Sequence, residues 1–153
     1  MYKRIWVCVA SGLLLWATGL AYSGKLPVFS ATGPHADLYG EADHYPVGGP
    51  ASLSQQKYMV GDFSHFDALF PGATVAAASQ PWNFYYAGDP PEISYFHEGN
   101  HYKIEDYLAH LPITGLLIAK DNQILYESYQ YGRTDRDRLT SHSMAKTITA
   151  MLM

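Results

Sequence analysis

Apolar and polar positions follow three different patterns along this chain. From Ile5 to Ala21 the run is apolar, broken by Ser11, Gly12, Thr18 and Gly19. From residue 24 to residue 92 no period is sustained, apart from Phe63, Phe66, Leu69 and Phe70 at helical spacing. That spacing predicts one short amphipathic helix, with Asp62 or Ser64 as its cap and Pro71-Gly72 as its stop. From residue 93 onward the periods sharpen. Ile93 to Phe96 reads as a short strand. Ile104 to Leu111 reads as a helix with Ile104, Leu108 and Leu111 on one face, ended by Pro112.

The clearest unit follows. Gly115-Leu-Leu-Ile-Ala119 has the composition of a buried strand, Asp121-Asn122 that of a turn, and Ile124 to Tyr129 that of a second strand. Together they predict a β-hairpin. Gly132 to Arg138 is a polar loop, expected to be solvated and to hold only weak local ion pairs. Thr140 and Ser141 are cap candidates for an apolar helix running from Met144 to Met153. The fold class predicted is α+β: a sheet hairpin followed by a helix, preceded by an irregular extension.

The first pattern changes how much of the chain belongs to that fold. Lys3 and Arg4 precede the apolar run, and Ala21-Tyr22-Ser23 has the small-x-small form of a signal-peptidase site. Residues 1–23 are therefore read as a secretory signal peptide. Uncleaved, the same segment would be a membrane anchor, near the lower limit of about 17–25 residues for a span. Residues 24–92 form the extension, an arm that needs a body to lie against. Residues 93–153 form the start of the folded domain. The expected location is the periplasm or the exterior of a bacterial envelope.

Charge and cysteine use narrow the chemistry. The chain has 10 Lys and Arg against 14 Asp and Glu, a net charge of −4. Loss of Lys3 and Arg4 with the signal leaves 8 against 14, or −6. No basic cluster remains, which argues against a nucleic-acid partner. Cys8 is the single cysteine and lies inside the signal. The exported chain then has no disulfide, thiolate metal site or cysteine nucleophile.

Two motifs bear on catalysis. Ser143-Met-Ala-Lys146 places a hydroxyl and an amine three residues apart, on one face of a helix. That is the minimal set for a serine nucleophile with a lysine base. Composition alone yields about 0.4 Ser-x-x-Lys matches in a chain like this, and Ser54-Gln-Gln-Lys57 is a second one. Only Ser143 has a hairpin before it and an apolar helix after it. A helix start favours a developing oxyanion. A basic lysine must be neutral, and burial against Ala145 and Ile148 would favour that form. The bland alternative is a capping serine beside a snorkelling lysine. His142, beside the serine, is at most a residue lining a pocket.

Residues 113–153 resemble the start of the serine β-lactamase and penicillin-binding-protein superfamily, in its class C-like branch. The matching stretches are Gly115 to Tyr129 and Leu139-Thr-Ser-His-Ser-Met-Ala-Lys146. Phe63-Ser-His-Phe-Asp-Ala-Leu-Phe-Pro-Gly-Ala73 and the aromatic stretch after it resemble the extension of 6-aminohexanoate-dimer hydrolase-like enzymes. The resemblance implies that Ser143 is the nucleophile and Lys146 the general base, and that the Ser143 N–H is half of the oxyanion hole. It implies an acyl-enzyme route on an amide or ester, with amide oligomers, small esters or D-alanyl peptides as substrates and with no cofactor. The family also uses a Tyr-x-Asn or Ser-x-Asn loop and a Lys-Thr-Gly or His-x-Gly strand further downstream. Neither occurs between Lys146 and Met153, so the chain is expected to be the N-terminal part of such an enzyme and inactive by itself.

The second motif is His97-Glu98-Gly-Asn-His101, which matches the H-E-x-x-H signature of zinc peptidases. That chemistry needs both histidines on one helical face. Gly99 and Asn100 are poor helix formers and no third ligand stands out, so a solvated loop is the expected reading. A non-catalytic exported fragment acting by association is the remaining alternative.

Overall fold

A computed structural model describes residues 27–153. The expected signal segment, residues 1–23, lies outside the described residues. In chain order the strands are β1 (Val28–Phe29), β2 (Tyr85–Tyr86), β3 (Ser94–His97), β4 (Asn100–Lys103), β5 (Gly115–Lys120) and β6 (Gln123–Tyr129). The helices are α1 (Met59–Ser64), α2 (Phe66–Leu69), α3 (Ile104–His110) and α4 (Ala145–Met151). Short 3-10 turns cover Ala36–Tyr39, Glu41–Asp43, Gln56–Tyr58 and His142–Met144. The architecture is α+β.

β5 and β6 form the expected hairpin. Leu116 pairs with Ser128 and Ile118 with Tyr126, and the register then shifts so that Ala119 faces Ile124. Asp121 and Asn122 turn with φ of 50° and 65°, the left-handed pair that a two-residue hairpin loop requires. One sheet face is covered by α3. Ile104 and Leu108 pack there against Tyr126, with Ile93, Leu116 and Ile118 around them. α3 begins where the Asp106 carboxylate accepts the Lys103 N–H at 2.8 Å, and it ends before Leu111, which is exposed.

The body against which the extension lies is β6. β1 pairs in parallel with its end, Val28 with Ser128 and Phe29 with Tyr129. β2 pairs in parallel with its start, Tyr85 with Gln123 and Tyr86 with Ile124. Glu127 fastens this edge, its buried carboxylate accepting the hydroxyls of Tyr86 and Tyr129 at 2.6 Å each. Burial and then the adjacent carboxylate push the Tyr129 phenol well above its usual range. A second core forms where the chain leaves β6. Tyr131 is 1% exposed and packs with Ala36, Tyr45 and Val60, its ring edge-on to Tyr39 and Tyr45.

The single helix expected over Phe63 to Phe70 is two. α1 starts four residues before Phe63, and the chain leaves the helix at His65, with φ −138° and ψ 39°. The break has a local cause. The Ser64 hydroxyl and the His65 ring both donate to carbonyls one turn back, Val60 and Gly61, and compete with continuation of the helix. Asp62 and Ser64 are not caps. Both are buried inside α1, and Asp62 accepts the Gly48 N–H at 2.7 Å and the Ser52 hydroxyl at 2.8 Å.

Candidate active site

Ser143 lies in the 3-10 turn His142–Met144, and Lys146 in the first turn of α4. The Lys146 ammonium donates to Ser143 Oγ at 2.8 Å. The two side chains that the sequence singled out are therefore in direct contact. Their setting differs from the expected one in two ways. The serine precedes the α-helix proper in a tighter turn, and Ser143, Lys146 and Ile148 are all exposed. The covering expected from Ala145 and Ile148 is absent because the apolar side chains of α4 point to solvent, as do Met144 and Met151.

What holds the dyad is the segment before it. Thr140 is bound twice to α1: its N–H and its hydroxyl donate to the Phe63 carbonyl at 2.8 and 2.9 Å. Arg138 forms an ion pair with Asp67 of α2 and a backbone bridge with His65. Thr140, rather than capping α4, anchors the approach to it. Ser141 does begin the 3-10 turn, with its carbonyl accepting the Met144 N–H at 3.0 Å and no side-chain cap. His142 then rests edge-on against two rings of the extension, Phe63 at 5.2 Å and Phe66 at 6.2 Å between centroids. A groove of about 300 Å³ opens along this junction, lined by Phe66, Asp67, Phe70, Arg138, Leu139 and Thr140.

The loop from Gly132 to Arg138 is only half solvated. Asp135 and Arg136 are an exposed pair, as expected. Arg133 and Asp137 are folded in, their side chains 12% and 18% exposed. Arg133 donates to the Tyr131 carbonyl at 3.2 Å and to Ser64 Oγ at 3.4 Å and lies over the Tyr45 ring. Asp137 accepts the N–H and hydroxyl of Thr134 at 2.7 and 2.9 Å. The i,i+4 spacing of Arg133 and Asp137 is visible in the sequence. Nothing local signals that Ser64 and Tyr45 close over them.

The competing metal motif falls on a hairpin. Glu98 and Gly99 are the turn between β3 and β4, with φ of 47° and 82°. His97 pairs with Asn100, and His101 with Phe96. Adjacent cross-strand pairs point to opposite faces of a sheet, so the two histidines cannot converge on one ion. The helical condition of the zinc reading is not met. Ser54, of the chance Ser-x-x-Lys match, is exposed in the turn before α1, and Lys57 pairs instead with Asp43 at 2.6 Å.

No protein-family model, curated protein or solved structure matches the chain. Among the described residues no helix is long and apolar enough to cross a membrane, and no group of three or more His, Cys, Asp or Glu is placed to hold a metal ion.

Proposed function

We propose that Ser143 and Lys146 are the nucleophile and general base of an exported serine hydrolase whose fold begins in the manner of the β-lactamase superfamily. The single observation that carries the reading is the 2.8 Å contact between Lys146 Nζ and Ser143 Oγ at the entry to α4. The order of hairpin, anchored loop and helix adds support.

The chemistry follows from the pair. With Lys146 in its neutral form, the serine hydroxyl donates its proton to Nζ as Oγ attacks the carbonyl carbon of an amide or ester. The tetrahedral oxyanion then collapses, the resulting ammonium gives its proton to the departing amine or alcohol, and an acyl-enzyme remains. Water, deprotonated by the same amine, releases the acid and regenerates Ser143. The Ser143 N–H is one donor for the oxyanion. A second donor and a cover that excludes water are needed as well, and the described residues bring neither to Ser143. Loss of one such donor costs about 10²–10³ in turnover, so the reading assigns activity to a polypeptide that supplies both. No cofactor takes part, and the substrates are small amides or esters.

The test is covalent labelling by a fluorophosphonate, carried out on the polypeptide of the whole reading frame. Labelling at Ser143 that disappears in Ser143→Ala supports the assignment, and an unlabelled Ser143 rejects it. A second reading, a non-catalytic association module, draws on the exposed Met144, Ile148 and Met151. Under it Ile148→Asp changes the oligomeric state, while Ser143→Ala changes nothing measurable.

A further inference from the structure

His142 is a non-glycine residue in the left-handed region, with φ 44°, directly before the serine. A backbone held there costs on the order of 1–3 kcal/mol and persists only where its surroundings over-determine it. The surroundings here are specific. The residue two positions earlier, Thr140, is bound twice to one carbonyl of α1, and the His142 ring lies against Phe63 and Phe66. Phe66 is in turn packed on Phe70 at 4.7 Å. The contacts hold both ends of the Thr140–His142 segment, the stretch of backbone that leads directly into Ser143.

We infer that His142 is a positioning residue, and that the α1–α2 segment of the extension is the part of the protein that aims Ser143 at Lys146. This rests on the serine-hydrolase reading of the dyad. It gives the extension a role in that chemistry: the segment sets the nucleophile from behind without touching the reacting atoms. Ser143 and Lys146 are both exposed, so the backbone leading into them carries the orientation that packing around the side chains does not.

The rate of fluorophosphonate labelling at Ser143 reads this directly, in the whole-frame polypeptide. His142→Val puts a β-branched residue where a positive φ is strongly disfavoured. It is expected to slow labelling at least about tenfold, in keeping with the sensitivity of attack to small misplacements. His142→Asn accepts a positive φ and should label faster than the Val variant. Phe63→Leu keeps the carbonyl that Thr140 uses but removes the ring, and should slow labelling in the same direction. It also preserves the test if the Val variant fails to fold. Native-like labelling in both His142→Val and Phe63→Leu, or no gain from Asn over Val, overturns the inference while leaving the hydrolase reading intact. An unlabelled native Ser143 removes both.

Discussion

Thr140 and Phe63, 77 residues apart, are joined by two hydrogen bonds to a single carbonyl, from the Thr140 N–H at 2.8 Å and from its hydroxyl at 2.9 Å. Both lone pairs of the Phe63 oxygen are engaged, so this carbonyl near the end of α1 is satisfied by the loop that enters α4. Thr140→Val removes the hydroxyl at nearly constant volume and leaves the N–H bond in place. The expected loss is about 1 kcal/mol of stability, read from urea unfolding, and Thr140→Ser should recover most of it. A neutral Thr140→Val would mean that the backbone bond alone holds this junction.

Gly61 reverses the usual expectation for a helix. Alanine is normally favoured over glycine in a helix interior by about 1 kcal/mol. A Cβ at Gly61 would lie 2.1 Å from the Pro46 carbonyl oxygen and 2.8 Å from that of Tyr45. α1 therefore approaches the backbone of the extension through the gap that the missing side chain leaves. Gly61→Ala should destabilise by about 1–3 kcal/mol as the two segments separate. Gly72, outside any helix and with nothing near its Cβ position, is a control for the steric effect and should tolerate alanine. A stabilised Gly61→Ala protein would show that this approach is loose.

The parts of the fold set by local pattern were legible in the sequence. The hairpin at Asp121-Asn122, the α3 stripe of Ile104 and Leu108, and the Ser143–Lys146 spacing each depend on residues a few positions apart. What was not legible depends on distant partners. β1 and β2 are two residues each, too short to carry a period, and exist because β6 offers an edge. Asp62 reads as a cap because it is acidic at a helix start, yet it is buried by Gly48 and Ser52. The stretch from His97 to His101 reads as a solvated loop, and only the turn at Glu98-Gly99 belongs to one: Gly99 in the left-handed region closes a hairpin whose second strand, β4, has too little alternation to show in the sequence. At the site, the dyad could be read from the sequence. The Phe63 and Phe66 support behind His142 could not, since aromatic residues at helical spacing do not say what they face.

The β3–β4 hairpin gives the metal reading a direct test. His97 and His101 occupy opposite faces and both are exposed. Added zinc at stoichiometric concentration should leave the melting temperature unchanged, because a ligand that binds the native state must raise it. His97→Ala and His101→Ala should each alter stability by less than about 0.5 kcal/mol, as for exposed surface positions generally. A zinc-dependent rise in melting temperature that either substitution abolishes would restore the peptidase reading.

α4 carries its apolar side chains in water, with Met151 78% and Ile148 59% exposed. Exposed apolar groups contribute little to the folded state and favour association. Ile148→Lys and Met151→Lys are expected to change unfolding stability by less than about 0.5 kcal/mol. The onset of light scattering should move to higher protein concentration. A cooperative loss of stability in either variant would mean that this face is covered in solution.

Tyr131 supplies a prediction in pH. Its hydroxyl donates to the Pro34 carbonyl at 2.8 Å. Burial first, then the neighbouring Tyr39 and Tyr45, push its phenol up to about 12. In the unfolded chain a tyrosine ionises near about 10. The folded state thus holds the proton more tightly than the unfolded one. The associated stability is fully present below about pH 10 and is lost as pH rises toward about 12. Tyr131→Phe loses the bond to Pro34, worth about 1 kcal/mol while the phenol keeps its proton, but cannot form the buried phenolate. Its melting temperature should start lower than that of the native protein at about pH 8 and fall less steeply above about pH 10. Equal slopes in the two proteins would assign the alkaline loss to Tyr45, Tyr126 and Tyr129, whose phenols are also raised by burial.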